Sequence, residues 1–228
     1  MRYLSFALFT MIFIFIQGCI GDDFLDDRVD PVLRIENPLQ SLSTDTLVQL
    51  DFIFRNNVGQ NELIEAEWSS EDESIATVNS LGVLEGLSMG TTTIYLRTTY
   101  EGEDLEDSFT LEISQETVVE EMGEERTGNI DPSSFYPLDG DFKLTEEEGN
   151  LILEFEANYN ADTALPGLYV YLTNNPNSIA AALEISEVTI FNGAHSYEIP
   201  NVGLFDYSHV LYFCKPFNIK VGDGVMSE

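Results

Sequence analysis

The 228-residue sequence is poor in cysteine and in basic residues, and each shortage excludes a class of protein. Its two cysteines, Cys19 and Cys214, are too few for a disulfide framework, so buried cores must stabilise the fold. Nine lysines and arginines stand against 41 aspartates and glutamates, which gives a formal net charge of -32. Such a charge repels phosphate backbones and therefore excludes nucleic acid as a partner.

The motifs of common enzymes are missing as well. The sequence has no paired histidines of the metalloprotease type and no glycine-rich phosphate loop. Its acidic clusters lack the alternating Asp/Asn spacing of a calcium loop, and it has no haem-attachment motif. We therefore predict no catalysis, no bound metal and no cofactor, and we interpret the acidic clusters as solvated surface.

The most apolar stretch of the chain lies at its N-terminus. Arg2 is the only charged residue before Asp22, and residues 3–16 are mostly apolar. A basic start, a short apolar segment and small residues at a cut site are typical of a secretory signal peptide. The segment is too short to span a membrane comfortably, so we predict a signal peptide at 1–18. One alternative is an ordinary signal peptide with a cysteine nearby by chance.

The end of this segment resembles the lipobox of bacterial lipoproteins, through Ile16-Gln17-Gly18-Cys19. The resemblance implies that Cys19 carries a diacylglycerol and that the chain is cut just before it. More than one acyl chain gives stable anchoring, so the partner expected here is a membrane. The next residues, Cys19-Ile20-Gly21-Asp22-Asp23, resemble the acidic tag of surface-displayed outer-membrane lipoproteins. The expected location is the cell envelope, facing outward from the outer membrane, on an acidic tether at 19–30.

The rest of the chain has the pattern of an all-β protein. Short runs rich in Val, Ile, Leu, Thr, Phe and Tyr recur between turn residues, and 177–185 is the only plausible helical turn. This spacing predicts two β-sandwich-like domains in tandem. An acidic segment without sustained alternation separates them, so we place the domains at 31–114 and 128–228 and a linker at 115–127.

The first predicted domain resembles the bacterial immunoglobulin-like domain, group two. The resemblance rests on four ordered motifs: Glu67-Trp68-Ser69-Ser70, Ile75-Ala76-Thr77-Val78, Gly82-Val83-Leu84 and Gly90-Thr91-Thr92-Thr93-Ile94. Trp68 is expected in the core, although a ligand-stacking role is the alternative. The other expected inward positions are Ala76, Val78, Thr92, Ile94 and Leu96. Members of this family act as stalks, spacers or adhesive modules, and a spacer is the expectation here.

The second predicted domain resembles the DM-thirteen (electron-transfer) domain. The matching motifs are 166–172 (PGLYVYL), 193–200 (GAHSYEIP) and 210–217 (VLYFCKPF). The resemblance implies a redox role for the cysteine, Cys214. The sequence departs from the family at 135–140, where members often carry a histidine before the glycine, and at Gly167, which replaces the usual aspartate. His195 and His209 remain as ligand candidates, but solvated histidines are the commoner case.

Cys214 has two open interpretations. Free cysteines are commonly buried and behave as small hydrophobic residues. A redox thiol instead needs nearby positive charge and some exposure, and Lys215 and Lys220 are the only cations near it in the sequence.

Three functions follow. The first is a non-catalytic binding or scaffold lipoprotein, and the second is a redox accessory that uses Cys214 toward an exported protein. The third is adhesion to an extracellular polymer through exposed tyrosines, the candidates being Tyr159, Tyr169, Tyr197 and Tyr207.

Overall fold

The computed structural model describes residues 27–119 and 125–227. The predicted signal peptide at 1–18, the lipid-attachment residue Cys19 and most of the tether at 19–30 lie outside them. All regular structure in the described residues is β, which confirms the all-β class. None of the described residues forms a helix that is long and apolar enough to cross a membrane.

Ten strands precede residue 120. They are β1 Val32–Ile35, β2 Leu39–Ser43, β3 Leu47–Gln49, β4 Phe52–Arg55, β5 Glu67–Ser70, β6 Ala76–Val78, β7 Val83–Gly86, β8 Gly90–Tyr100, β9 Glu103–Ser114 and β10 Val118–Val119. They form a five-stranded sheet in the order β10-β2-β9-β8-β5, a three-stranded sheet β3-β7-β6 and a pair β1-β4. All pairs are antiparallel except β2 with β9.

Side chains from these sheets meet in one core, which makes the first domain a sandwich. Along β9, Phe109, Leu111 and Ile113 are buried while Thr110 and Glu112 are exposed, as a half-buried strand requires. Ala76, Thr92, Ile94 and Leu96 are buried as predicted. Val78 and Trp68 are only partly buried and pack against the edge of the core. Trp68 lies edge-to-face with Phe52, with ring centroids 6.1 Å apart.

Nine further strands form one sheet in the second domain. They are β11 Glu125–Pro132, β12 Leu138–Glu147, β13 Asn150–Phe155, β14 Asn160–Ala161, β15 Leu168–Thr173, β16 Leu183–Glu187, β17 His195–Pro200, β18 His209–Cys214 and β19 Ile219–Val225. Their order is β16-β15-β18-β19-β11-β12-β13-β17, with β14 paired to β12. The sheet forms a nearly closed barrel, in which β11 joins two parts by pairing with β12 along its first part and with β19 at Asp131 and Pro132.

Two segments differ from expectation. The helical turn predicted at 177–185 is wrong: Leu183–Glu187 is a strand paired with β15, and the preceding residues are irregular. The predicted linker at 115–127 contains β10 and the start of β11. The inward residues of β11 are Arg126, Gly128 and Ile130, of which only Ile130 has a large apolar side chain. The sequence of β11 therefore lacks the hydrophobic alternation by which a strand is predicted.

Substitution of Gly82 by alanine tests how tightly the first domain packs around Trp68. Its φ is +80°, and a Cβ there would lie 2.9 Å from the Leu50 carbonyl oxygen and 3.1 Å from Trp68 Nε1. Gly149 is a matched control, since its φ is also +80° but a Cβ there would meet nothing within 4 Å. We expect Gly149→Ala to cost about 1 kcal/mol of unfolding free energy, from left-handed strain alone. Gly82→Ala should cost about 1–3 kcal/mol more, because overpacking is added. Urea unfolding measures both, and equal losses would contradict the packing described.

Candidate binding site

Cys214 ends strand β18 and is fully buried, with 0% of its surface exposed. Its Sγ lies 3.3 Å from the carbonyl oxygen of Pro166, to which it donates a hydrogen bond. The neighbouring cation, Lys215, forms an ion pair with Glu184 at 2.6 Å and lies over the Tyr169 ring. This environment supports the structural interpretation of the thiol, and the redox role stays a prediction.

The tyrosines and histidines predicted from the sequence lie in different places. Tyr159 is 0% exposed, so its prediction as an exposed stacking residue is wrong. Tyr169, Tyr197 and Tyr207 are partly buried. His209 lies 2.8 Å from the Ser208 hydroxyl through Nδ1, and burial lowers the pKa of its imidazole. Among the described residues, no group of His, Cys, Asp and Glu is arranged to hold a metal ion.

His195 belongs to an aromatic cluster inside the barrel. Its ring stacks on Phe155 at 4.9 Å and meets Tyr159 edge-on at 4.6 Å, while Nδ1 lies 2.9 Å from the Gly193 carbonyl oxygen. The hydroxyls of Tyr159 and Tyr212 are buried there without a hydrogen bond of normal geometry. Burial raises the pKa of both phenols. Phe155, Tyr159 and Tyr212 of this cluster belong to the buried core of the second domain.

Two arginines lie on the outer face of the β1-β4 pair. Arg34 in β1 alternates with the buried Leu33 and Ile35, and Arg55 in β4 follows the buried Phe54. Because alternate residues of a strand point to opposite faces, both guanidiniums point away from the core of the first domain. Arg55 is nevertheless only 7% exposed. The second domain covers it.

The covering segment is the loop between β17 and β18. Arg55 Nη2 donates hydrogen bonds to the carbonyl oxygens of Phe205 and Asp206, at 3.0 and 3.1 Å. The guanidinium carbon of Arg34 lies 5.7 Å from the centroid of the Phe205 ring, within reach of a cation–π interaction. Asn174 Nδ2 donates to the Asp206 carbonyl oxygen at 3.0 Å, which fixes the same loop from the β15–β16 connection.

A third arginine holds this loop from within the second domain. Arg126 is 5% exposed, and its Nη1 donates to the carbonyl oxygens of Leu204 and Tyr207 at 3.1 and 2.6 Å. Its guanidinium also lies 5.1 Å from the Phe205 ring centroid. Hydrogen bonds from Arg126, within the second domain, therefore hold the loop that contacts Arg55. Its position does not depend on the first domain alone.

The packing also reaches the start of the described chain. Asn175 Nδ2 donates to the carbonyl oxygens of Asp27 and, at 3.3 Å, of Val58. Val29 N donates to the Asn57 carbonyl oxygen at 2.9 Å. The second domain therefore lies beside the end of the first domain at which the chain enters. The role of spacer expected for the first domain stays a prediction.

A cleft of about 470 Å³ opens at the junction between the two domains. Its lining includes Arg34, Arg55, Asn61, Asn174, Phe205 and Tyr207. Burial lowers the pKa of Arg55, and the charge of Arg34 lowers it further. Arg55 Nε and Asn174 Oδ1 are both buried without a hydrogen-bond partner. Two residues that line the cleft therefore each have one buried polar atom, a donor and an acceptor, whose hydrogen bond is unmade.

A wider groove of about 1280 Å³ lies on the first domain alone. Phe52, Ile64 and Trp68 contribute apolar surface to it, while Glu65, Glu67, Asp104 and Glu106 are among its acidic lining residues. Trp68 thus packs on the core and also reaches the surface, so its ligand-stacking alternative stays open.

The sandwich and its motifs agree with the comparison to known families. The bacterial Ig-like domain family (group 2) matches residues 40–103. Residues 40–103 form a bacterial Ig-like domain. No curated protein matches the chain. Among solved structures, that titled "Drosophila OTK, extracellular domains 3-5" is similar over 85% of this chain and 60% of that one, with 14% identity and a TM-score of 0.23. This chain thus spans less than two thirds of that structure, and a TM-score this low says nothing about function.

One sequence feature marks the junction, although it matches no known motif. Arg34 and Arg55 each occupy a four-residue strand whose other three residues are apolar, in a chain with only nine basic residues. Their partner Phe205 has no comparable signal, because it lies in an irregular loop 150 residues after Arg55.

The accessibility of Cys214 separates its two interpretations. In a Cys19→Ser variant, in which Cys214 is the only thiol, we expect a thiol reagent such as N-ethylmaleimide to label the native protein very slowly. The physical reason is that attack requires an exposed thiolate. The same protein in guanidinium chloride is the control and should be labelled rapidly. Native labelling as fast as denatured labelling would favour the redox role and contradict the burial described.

Proposed function

We propose that this protein is an exported lipoprotein, attached to the membrane through Cys19, whose two β domains form one non-catalytic binding module. The Ig-like domain supports an extracellular or cell-surface setting. The lipobox resemblance at 16–19 and the acidic residues Asp22 and Asp23 support anchoring and outward display. The DM-thirteen resemblance supports a second, distinct module after it.

The observation that supports binding most directly is the cleft at the junction of the domains. Clefts between domains are common ligand sites, and this one has a volume within the range usual for small ligands. Two of its lining residues also have a buried polar atom without a partner, Arg55 Nε and Asn174 Oδ1, which a folded protein rarely leaves unpaired. A ligand would supply the missing partners.

The packing of the domains decides where this cleft would stand relative to the membrane. Only residues 20–26 separate Cys19 from Asp27, which contacts Asn175 of the second domain. Seven residues extend to at most about 25 Å. A chain anchored at Cys19 would therefore hold its cleft near the membrane surface, and the Ig-like domain would form one wall of the cleft and not a stalk beneath it.

The redox accessory role is the second proposal. It rests on Cys214 and on the DM-thirteen resemblance, and thiol–disulfide exchange with an exported partner is the chemistry it would use. It needs the barrel to open around β18, because Cys214 is fully buried.

Lipid attachment is tested by substituting each cysteine in turn. Cells grown with an alkyne-labelled fatty acid should incorporate the label into the wild-type protein and into Cys214→Ser, but not into Cys19→Ser. Intact-mass analysis should show a mature chain that begins at residue 19 and carries acyl chains. Digestion of intact cells with a protease then reports surface display. Label retained by Cys19→Ser, or a mature chain that still begins at Met1, would contradict the anchor.

A further inference from the structure

We propose that the cleft between the domains binds an acidic sugar, with its carboxylate against Arg55 and Arg34. This proposal names the ligand class of the binding function proposed above and rests on it. With 41 acidic and nine basic residues, the protein repels anions over most of its surface. Two guanidiniums on one face of a four-residue strand pair, at a cleft, are an exception to that pattern.

The hydrogen bonding of Arg55 points to an anion. Its Nη2 is engaged by the carbonyl oxygens of Phe205 and Asp206, whereas its Nε is buried without a partner. A buried donor left unpaired costs about 1–3 kcal/mol, and more when the group is charged. A carboxylate oxygen at Nε would make a charge-assisted hydrogen bond, the strongest kind available to a guanidinium.

The local charges favour one negative charge over two. Arg34 is paired with Glu36 at 2.6 Å, and the side chain of Asp206 lies close enough to raise the pKa of Arg55. Two cations and two carboxylates therefore already balance within the site. A monoanionic carboxylate adds one negative charge to this site, whereas a phosphate monoester would add a second one, which Glu36 and Asp206 would repel.

The remaining lining residues suit sugar hydroxyls. Asn174 Oδ1 is an unpaired acceptor, and the amides of Gln60, Asn61 and Asn201 also line the cleft. Phe205 and Tyr207 add aromatic surface, against which the apolar face of a sugar ring can pack. A carboxylate next to several hydroxyls is the chemistry of a uronic acid. Uronic acids occur in extracellular polymers, in agreement with the adhesion hypothesis.

The experiment titrates the full mature chain, in detergent, with tri-galacturonic acid by calorimetry. The companion arms are galactose oligomer of the same length, acetate and inorganic phosphate. We expect tri-galacturonic acid to bind at least tenfold more tightly than any of the three. Equal binding of neutral galactose oligomer would overturn the role of the carboxylate. Equal binding of acetate or phosphate would overturn the sugar and leave a simple anion site.

Arg34→Gln and Arg97→Gln form a matched pair of variants. Each removes one charge, one ion pair to a glutamate and one cation–aromatic contact, since Arg97 pairs with Glu106 and lies over Tyr95. Only Arg34 lines the cleft. We expect Arg34→Gln to weaken tri-galacturonic acid binding about tenfold or more, and Arg97→Gln to leave it within twofold. Equal effects of the two variants would overturn the proposal.

Asn61→Asp keeps the proposal testable if Arg34→Gln fails to fold. Asn61 is exposed at the cleft, so an added carboxylate there should leave folding intact and repel the ligand about threefold or more. Unchanged binding by Asn61→Asp would overturn the site. Because calorimetry in detergent does not depend on lipidation, loss of the anchor and loss of sugar binding are separate results.

Discussion

The buried guanidinium of Arg55 is the contact on which the arrangement of the two domains depends. It lies on the outer face of the first domain, where it would be solvated if that domain stood alone. Burying a charge costs several kcal/mol unless hydrogen bonds compensate. The compensating carbonyl oxygens belong to Phe205 and Asp206 of the second domain. The loop that presents them is shaped by Arg126, which is buried in turn.

The position of the cleft follows from this contact. The β17–β18 loop meets the β1-β4 pair along one side, and the space left beside the contact is lined by both domains. Packing also joins Asn175 to Asp27, so the cleft lies near the point where the chain enters the first domain. Neither domain contains the proposed site by itself. This explains why the function proposed here belongs to the pair and not to the Ig-like domain alone.

Strand periodicity made the fold class and the first domain predictable. Alternating burial in β8 and β9 places Thr92, Ile94 and Leu96 in the core, as their spacing in the sequence indicates. Prediction failed where inward residues are not apolar, as in β11 with Arg126 and Gly128. It failed again at 177–185, where an alanine-rich run suggested a helix and pairing with β15 produced a strand.

The binding site was much harder to predict than the fold. Arg55 donates a hydrogen bond to the carbonyl oxygen of Phe205, which lies 150 residues later in the sequence. Every residue type has a backbone carbonyl oxygen, so the sequence does not mark this partner. Tyr159 was expected at the surface, as one of four tyrosines that could stack on a ligand. It is buried instead, because Phe155, His195 and Tyr212 surround it inside the barrel. Contacts of this kind depend on tertiary packing, which a periodic pattern does not encode.

The two domains pack as one body through Arg55. Residual dipolar couplings of the mature chain, made soluble by Cys19→Ser, test it most directly, because each domain reports its own alignment. We expect a single alignment tensor to fit the couplings of 27–119 and 125–227 in the orientation described. Two tensors of different magnitude would show independent domains and contradict the account.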